Sequence, residues 1–307
     1  MFWPERRFPF DLNVPKHNCP LPACNVCDHQ VLSFLRKDEF WGYFYCYRHL
    51  TDGTPRCWTC HRLKQKHQQL IDVGDGRKLC PDCYATAVVD VMKLKPLVEE
   101  LHKFYKKLGL SVERDIPILL VDKDEINRNP RPANRTYLGL TTFHVQVINT
   151  IISCSPVGRD QIVQMKMKRQ QLSVRKHPAT SIVLLFGMPS VCMGRTLAHE
   201  MMHVWLKSQL KDHGHHPSLN KRVREGICEV MSYTWLESAI TDDHHSSYKS
   251  KEQARFVRKL IAYWKMTMET SVKKDNGDGF RAAKQAVDKF GLKHTLNHIA
   301  RKKRLPS

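Results

Sequence analysis

The chain has 307 residues, which is enough for two domains, and 50 basic against 30 acidic residues give it a formal charge of +20. No run of 18 apolar residues occurs, and the start of the chain lacks an apolar stretch of signal-peptide length, so a membrane span and secretion are both disfavoured. We therefore expect a location in the reducing cytoplasm, or in the nucleus if the basic residues 301–304 act as an address.

Cysteine spacing is the first strong signal along the chain. Of the 11 cysteines, eight precede residue 84, and seven of these fall with one histidine into four pairs of x2 spacing. Pairs of this kind form tight turns that present two ligands to one tetrahedral zinc ion. A disulfide framework is the weaker alternative because a reducing compartment disfavours it. We expect Cys154, Cys192 and Cys228, which lie outside the pairs, to be small core residues.

Two structural zinc sites follow from the four pairs. The simplest partition is sequential, and an interleaved, RING-like partition is the alternative. In the sequential partition the first zinc is held by Cys24, Cys27, Cys46 and His49, and the second by Cys57, Cys60, Cys80 and Cys83. Such a module is too small and polar to fold on its core alone, so metal binding supplies much of its folding free energy.

The zinc pairs also predict the domain boundaries. We place an N-terminal extension at residues 1–17 and a LIM-like two-zinc module at residues 18–85, followed by a linker helix with apolar residues at helical spacing at 86–109. Residues 110–307 form the remaining domain. In it, apolar runs at 116–121 and 181–186 predict strands, the second open to pairing with an extended substrate. The basic segment 155–180 is predicted to be a loop or insertion.

An HExxH pentapeptide at residues 199–203 is the most informative feature of the second domain. Apolar residues recur around it at helical spacing, and on a helix His199 and His203 lie one turn apart, so both imidazoles can bind one metal ion. Glu200 between them can act as the general base of a metallopeptidase. Two buried core histidines are the plainer alternative reading.

A catalytic zinc ion needs a third protein ligand, and we assign Glu225 to this role. Glu225 lies 22 residues beyond His203 and opens a second helical pattern, and a Glu-Gly at such a place is typical of gluzincin peptidases. Glu229, one turn later, is the alternative ligand or an outer partner of a ligand histidine. The loop histidines His213, His215 and His216 are rival ligands. The oxyanion donor stays open among Tyr263, Arg281 and His298.

The predicted fold class is therefore α+β, with a small LIM-like double zinc-ribbon module followed by a mostly helical, gluzincin-like zinc metallopeptidase domain with a small sheet. A glycine-containing segment at 274–280 lacks the oxygen ligands of a calcium loop and is predicted to be a turn before a helix.

The motifs together resemble a known family, the LIM-containing peptidases of the plant organ-size regulator or "DA-one" type. The matching stretches are TPRC at 54–57, DGRKLC at 75–80, LAHEMMH at 197–203, EGIC at 225–228, DGFRA at 278–282 and GL at 291–292. The resemblance implies a latent zinc peptidase that ubiquitin attachment activates and that cuts growth-regulatory proteins, including ubiquitin ligases. It also implies that His199 and His203 are ligands, that Glu200 is the base and that Glu225 stands at the family's Glu-Gly.

Two functions compete on these observations. The first is a zinc-dependent peptidase with one catalytic and two structural zinc ions, acting on protein substrates of the ubiquitin pathway and binding ubiquitin. The second is a LIM-type adaptor with an inactive peptidase-like domain. Nucleic-acid binding rests on charge alone and is disfavoured, because the basic residues are spread along the whole chain.

Overall fold

The computed structural model describes residues 22–30, 35–128, 136–143, 146–157, 164–174, 181–210, 219–241, 250–272 and 277–307. Helices and strands are mixed along these residues, which confirms a fold of mixed helix and sheet. The predicted extension at 1–17 and the histidines at 213, 215 and 216 lie outside the described residues.

Eleven short strands are present in the described part of the chain. In order they are β1 Leu35–Lys37, β2 Phe44–Cys46, β3 Ile71–Asp72, β4 Lys78–Leu79, β5 Ala87–Val88, β6 Ile118–Val121, β7 Gly139–Thr142, β8 Gln146–Val157, β9 Gln164–Val174, β10 Ser181–Leu185 and β11 Met188–Pro189. The helices are α1 Pro81–Ala85, α2 Val91–Lys107, α3 Lys123–Ile126, α4 Ser190–Leu210, α5 Lys221–Thr241, α6 Lys251–Glu269, α7 Gly279–Phe290 and α8 Leu292–Lys302. A short 3-10 helix at Tyr47–Leu50 follows β2.

The chain divides into two compact units. The smaller unit comprises the described residues between 22 and 85 and between 155 and 166. In it β1 and β2 form an antiparallel pair, and β3 pairs antiparallel with β4 and parallel with the start of β9. A fully buried ion pair between Arg77 and Asp75, with an N–O distance of 2.8 Å, lies in the turn between β3 and β4.

The larger unit comprises residues 86–154 and 167–307 and contains a three-stranded sheet in the order β6-β10-β7. Strand β10 is parallel to β6 and antiparallel to β7. The strand predicted at 181–186 exists, but it is the central strand and is not open to a substrate. All five residues of β10 are buried, as expected of an unbroken apolar run that is covered on both faces. Strands β6 and β7 are the two edges of this sheet.

The basic segment 155–180 is not simply a loop, because β8 ends and β9 lies within it. Met165 is buried and Met167 half-buried, whereas Lys166 and Lys168 between and beyond them are exposed. This alternation with a period of two residues is the mark of a strand with one covered face. The high content of charged side chains obscured it.

Helix α4 is the central helix of the larger unit. It begins directly after β11, which pairs with β5, and it packs against α2, α5 and the sheet. From α2, the Tyr105 hydroxyl donates a hydrogen bond of 2.5 Å to the main-chain oxygen of Ala198 in α4. Gly194 faces Trp235 of α5, and a Cβ atom at Gly194 would lie only 2.4 Å from the indole nitrogen. A small residue is therefore required where α4 and α5 cross.

A second close crossing joins α5 to the start of α7. A Cβ atom on Gly226 would lie 2.3 Å from the main-chain oxygen of Gly279. The glycine after Glu225 and the glycine of the DGFRA stretch therefore meet in space, which explains why both positions need glycine. No helix in the described ranges is both long and apolar enough to cross a membrane.

Gly194→Ala is expected to lower the thermal unfolding temperature of the full chain. In an ordinary helix this substitution stabilises by up to ~1 kcal/mol, because glycine is a poor helix former. Here the added methyl group overlaps the Trp235 ring, and overpacking costs about 1–3 kcal/mol. Gln209→Ala, at an exposed position of the same helix, is the control. An unchanged or raised unfolding temperature for Gly194→Ala would contradict the close packing of α4 on Trp235 of α5.

Candidate metal centres

Two equivalent turns present the Cys-x2-Cys pairs of the smaller unit. In each, the main-chain nitrogen four residues after the first cysteine donates to that cysteine's oxygen, as Asp28 does to Cys24 and His61 to Cys57. Asp28 and His61 have positive φ angles of 63° and 58°, which closes the turn. Both cysteines of a pair therefore point to the same side.

The first cluster brings together Cys24, Cys27, Cys46 and His49, whose ligand atoms all lie within 4.8 Å of one another. The Sγ atoms of Cys27 and Cys46 are 3.7 Å apart. His49 Nδ1 donates to Asp52 Oδ2 at 2.7 Å, while its Nε2 atom is buried without a hydrogen-bond partner. A carboxylate that fixes one ring nitrogen and leaves the other for a metal ion is the usual arrangement of a histidine ligand.

The second cluster is formed by Cys57, Cys60, Cys80 and Cys83, all of them buried. The Sγ atoms of Cys60 and Cys80 are 3.8 Å apart. Tetrahedral zinc with Zn–S bonds of about 2.3 Å places its sulfur atoms about 3.8 Å apart. Both clusters thus fit zinc, and the structure groups the pairs sequentially rather than in the interleaved alternative.

Positively charged groups beside the thiols were not identified from the sequence. Arg62 donates to Cys60 Sγ at 3.3 Å and to Cys80 Sγ at 3.1 Å. Burial raises the pKa of Cys60 and Cys83, whereas hydrogen bonds from the other three thiols, together with Arg62, lower that of Cys80. In the first cluster burial opposes ionisation of Cys27, but hydrogen bonds from His29 lower its pKa to about 5. Each cluster therefore favours the thiolate, the form that binds metal, at one cysteine, Cys27 or Cys80, whereas burial opposes it at Cys46, Cys60 and Cys83.

The third cluster lies between α4 and α5. His199 and His203 are on α4, and their Nε2 atoms are 3.1 Å apart. Glu225 in the second turn of α5 places Oε2 at 3.5 Å from His199 Nε2 and 3.6 Å from His203 Nε2. Tetrahedral zinc with bonds of about 2.0–2.1 Å separates nitrogen or oxygen ligands by about 3.3–3.4 Å. These three atoms therefore fit a single zinc ion.

Two further side chains of α5 face the other ring nitrogens. Glu229 Oε1 lies 3.9 Å from His199 Nδ1, and Cys228 Sγ lies 3.5 Å from His203 Nδ1. Cys228 is also close enough to both histidines to join a three-ligand set with them. The set with Glu225 is the better one, because only Glu225 meets the two convergent Nε2 atoms. Glu229 and Cys228 are placed as outer partners.

Glu200 is 3% exposed and is held by the edge strand of the sheet. Thr141 Oγ1 of β7 donates to Glu200 Oε2 at 2.8 Å and lies 3.1 Å from the Glu200 main-chain oxygen. Nothing in the sequence marked Thr141 as part of the site. A residue 59 positions earlier in the sequence thus fixes the base predicted from HExxH.

The charges of this cluster favour a cation. Burial alone lowers the pKa of His199, but the carboxylates of Glu225, Glu229 and Glu200 outweigh it and raise that pKa. Burial opposes ionisation of Glu225, yet its hydrogen bonds to His199 and His203 hold its pKa well below the usual range. Three carboxylates and two imidazoles in a buried site are a donor set for a divalent metal ion.

Two of the three candidate oxyanion donors, Arg281 and His298, make their described contacts outside the third cluster. The Arg281 guanidinium donates to the main-chain oxygens of Glu269 and Ser271, at the connection between α6 and α7. Tyr263 packs edge-on against Trp264, and His298 lies beside His294 on α8. No contact described for Arg281 or His298 reaches the third cluster, so these two predictions gain no support.

The fold and its clusters define a protein of mixed helix and sheet with three cysteine and histidine clusters that could bind zinc. The profile of the DA1-like family, described as Protein DA1, matches residues 107–302. This match covers more than half of the chain. The chain belongs to the DA1 family, which confirms the resemblance.

Several plant proteins align with most of the chain. Protein DA1 of Arabidopsis thaliana is 33% identical over 308 residues, which cover 93% of this chain and 57% of that protein. Protein DA1-related 1 of the same organism is 34% identical, with coverages of 91% and 54%. The LIM domain-containing protein HDR3 of Oryza sativa subsp. japonica is 32% identical, with coverages of 91% and 60%. The chain thus spans little more than half the length of these relatives, and no solved structure matches it.

Cys80→Ser is expected to unfold the smaller unit and to release both zinc ions of its two four-ligand clusters, because thiolate–zinc bonds supply its folding free energy. Elemental analysis gives the zinc content, and limited proteolysis should show cleavage confined to the smaller unit, which includes residues 155–166. Cys154→Ser, a half-exposed cysteine outside the clusters, is the matched control and should change neither. Collapse of both units in Cys80→Ser would contradict independent folding.

Glu225→Gln is expected to weaken zinc binding at the third cluster beyond the roughly 10- to 100-fold loss typical of an outer partner, because it removes a charged ligand. Glu229→Gln and Cys228→Ser should stay within that range. Mild chelation first empties the third cluster and leaves the closed four-ligand sites loaded. Competition with a chromophoric chelator then measures the zinc affinity of the third cluster in all three variants. If Cys228→Ser loses the metal and Glu225→Gln keeps it, the ligand assignment is wrong.

Proposed function

We propose that the chain is a zinc metallopeptidase of gluzincin-like arrangement, with a LIM-like module that holds two structural zinc ions. The observation that carries the proposal is the triangle of His199 Nε2, His203 Nε2 and Glu225 Oε2, with the Glu200 carboxylate held beside it. Three protein ligands leave one open position, as catalytic zinc requires. The four-ligand clusters are closed and serve folding.

His199, His203 and Glu225 would hold the zinc ion, which as a Lewis acid would polarise the scissile carbonyl group. Glu200 takes a proton from the attacking water molecule and delivers it to the leaving amine. Glu229 lies 3.9 Å from His199 Nδ1 and Cys228 lies 3.5 Å from His203 Nδ1, so these two side chains stand where they would orient the imidazole rings. Burial of His199 and Glu200 keeps bulk water from competing with these interactions.

An extended protein segment is the expected substrate. Strand β7 is one of the two edge strands of its sheet among the described strands. It is the edge that contacts Glu200, so a substrate strand that pairs with β7 would lie beside the base. The formal charge of +20 favours acidic substrates through faster encounter. From the family resemblance we propose that the substrates belong to the ubiquitin pathway, that ubiquitin itself binds, and that the chain acts in the cytoplasm or nucleus.

The second candidate is a LIM-type adaptor with an inactive peptidase-like domain. It is favoured by the name of the rice relative, which describes a LIM domain-containing protein, and by the two four-ligand clusters. An adaptor has no need of a carboxylate base beside a three-ligand metal site, and for this reason we rank it second.

Glu200→Gln is expected to lower peptide cleavage at least ~10²-fold while zinc occupancy stays near that of the wild type, because the amide keeps the shape but cannot act as a base. The assay incubates zinc-loaded protein with a peptide library prepared from a cell lysate and labels new N-termini. Both proteins are tested unmodified and after enzymatic ubiquitin attachment, because the resemblance implies latency.

Elemental analysis of both proteins is the control, since loss of metal would imitate loss of the base. New termini that appear with the wild type and not with Glu200→Gln support the peptidase. The same termini at the same rate with both proteins, or none with either, would leave the adaptor as the better account.

A further inference from the structure

Strand β7 and the residue after it run alongside helix α4 with three successive contacts. Alternate residues of a strand share one face, so Gly139, Thr141 and Phe143 point the same way. A Cβ atom on Gly139 would lie 2.6 Å from Thr196 Cγ2, Thr141 binds Glu200, and the Lys207 ammonium lies 3.8 Å from the Phe143 ring centre. The strand therefore follows the helix past the predicted base.

Gly139 allows this approach. Besides the overlap with Thr196, a Cβ atom there would lie 3.0 Å from Glu200 Cγ and 3.1 Å from Glu200 Oε1. Any side chain at this position would push the strand off the helix or push Glu200 out of place. The absence of a side chain at Gly139 thus lets β7 pack directly on α4, and this close packing brings the Thr141 hydroxyl group to the Glu200 carboxylate.

We propose that Thr141 is a positioning residue for Glu200, fixing the carboxylate for proton transfer through its hydroxyl group. The inference rests on the peptidase function proposed above. Thr141 Oγ1 lies nearer the Glu200 carboxylate oxygen, at 2.8 Å, than the Glu200 main-chain oxygen, at 3.1 Å, and we assign its one hydroxyl proton to the carboxylate. Hydrogen bonds to a charged acceptor are the stronger kind, and Oε1 keeps its lone pairs for the reacting proton.

Threonine suits this task better than a longer polar residue. Its branched side chain has few χ1 rotamers in a strand, so the hydroxyl is held with little loss of entropy. A general base works only within hydrogen-bond reach of the proton, and small displacements of such groups cost up to about 100-fold in rate. Thr141 acts on the base and not on the ligands, so zinc affinity should not depend on it.

Thr141→Val, which has nearly the same shape without the hydroxyl group, is expected to lower kcat about tenfold or more, with KM within about twofold of wild type. Thr141→Ser restores the hydroxyl group and should restore most of kcat. Rates are measured on a fluorogenic form of a peptide cleaved in the library assay. Thr150→Val, which removes another threonine hydroxyl of the same unit bonded to the Leu120 main-chain oxygen, should leave kcat unchanged.

A measurement without catalysis tests the same contact. Denaturant unfolding of the full chain, for Thr141→Val, Glu200→Ala and the double variant, gives the coupling between the two side chains. We expect non-additive changes in the free energy of unfolding for this pair and additive changes for Thr150→Val with Glu200→Ala. Zinc content is measured on every variant and should match the wild type. Thr141→Ala replaces Thr141→Val if valine disturbs the packing.

The outcomes separate this inference from the proposed function. Cleavage by the wild type with an unchanged kcat in Thr141→Val overturns the positioning role and leaves the peptidase intact. Additive unfolding changes for the Thr141 and Glu200 pair overturn it as well. Absence of cleavage by wild-type protein overturns the peptidase function itself, whatever coupling is measured.

Discussion

The distance between helix α4 and its neighbours decides whether the third cluster can exist. The ligand atoms of α4 and α5 meet within 3.6 Å because Gly194 lets the Trp235 ring lie on α4. On the other side Gly139 lets β7 approach Thr196 and Glu200. A methyl group at either crossing would lie 2.4 or 2.6 Å from its neighbour, so the elements would have to separate by about 1 Å, roughly half the length of a zinc–nitrogen bond. The site is therefore a consequence of packing as much as of its ligands.

The ligands could be predicted because their spacing follows from local geometry. Residues four apart on a helix share a face, and Cys-x2-Cys pairs form turns, so His199, His203 and the cysteine pairs carry their meaning in sequence alone. The prediction of Glu225 required the further inference that a second helix packs against the helix that carries the two histidines. Contacts such as Thr141 with Glu200 or Arg62 with Cys80 join distant parts of the chain, and no periodicity encodes them.

The errors in strand prediction have a related cause. Strand β10 is a continuous apolar run, and sequence alone does not tell whether such a strand is central or at an edge, since only pairing partners decide it. Strand β9 was read as a loop because most of its residues are charged or polar, although Met165 and Met167 alternate with lysines. A prediction that weighted the alternation of apolar and polar residues above the overall composition would have identified β9.

The three clusters differ in how their charge is balanced, and this difference matches the roles proposed for them. Arg62 donates to two thiols of the second cluster, and Arg48 lies 3.5 Å from Cys27 Sγ in the first, so part of the thiolate charge is offset by the protein. With zinc bound and the arginine counted, the first site is formally neutral and the second keeps a formal charge of −1. In the third cluster three carboxylates surround two imidazoles, and Arg195, buried over Trp264, is the cation whose charge acts on Glu229. The site thus keeps an excess of negative charge on the side of Glu200 and Glu225. Glu200 is not one of the three assigned ligands, so its carboxylate is available to a water molecule at an open coordination position, whereas a closed structural centre has no use for such a base.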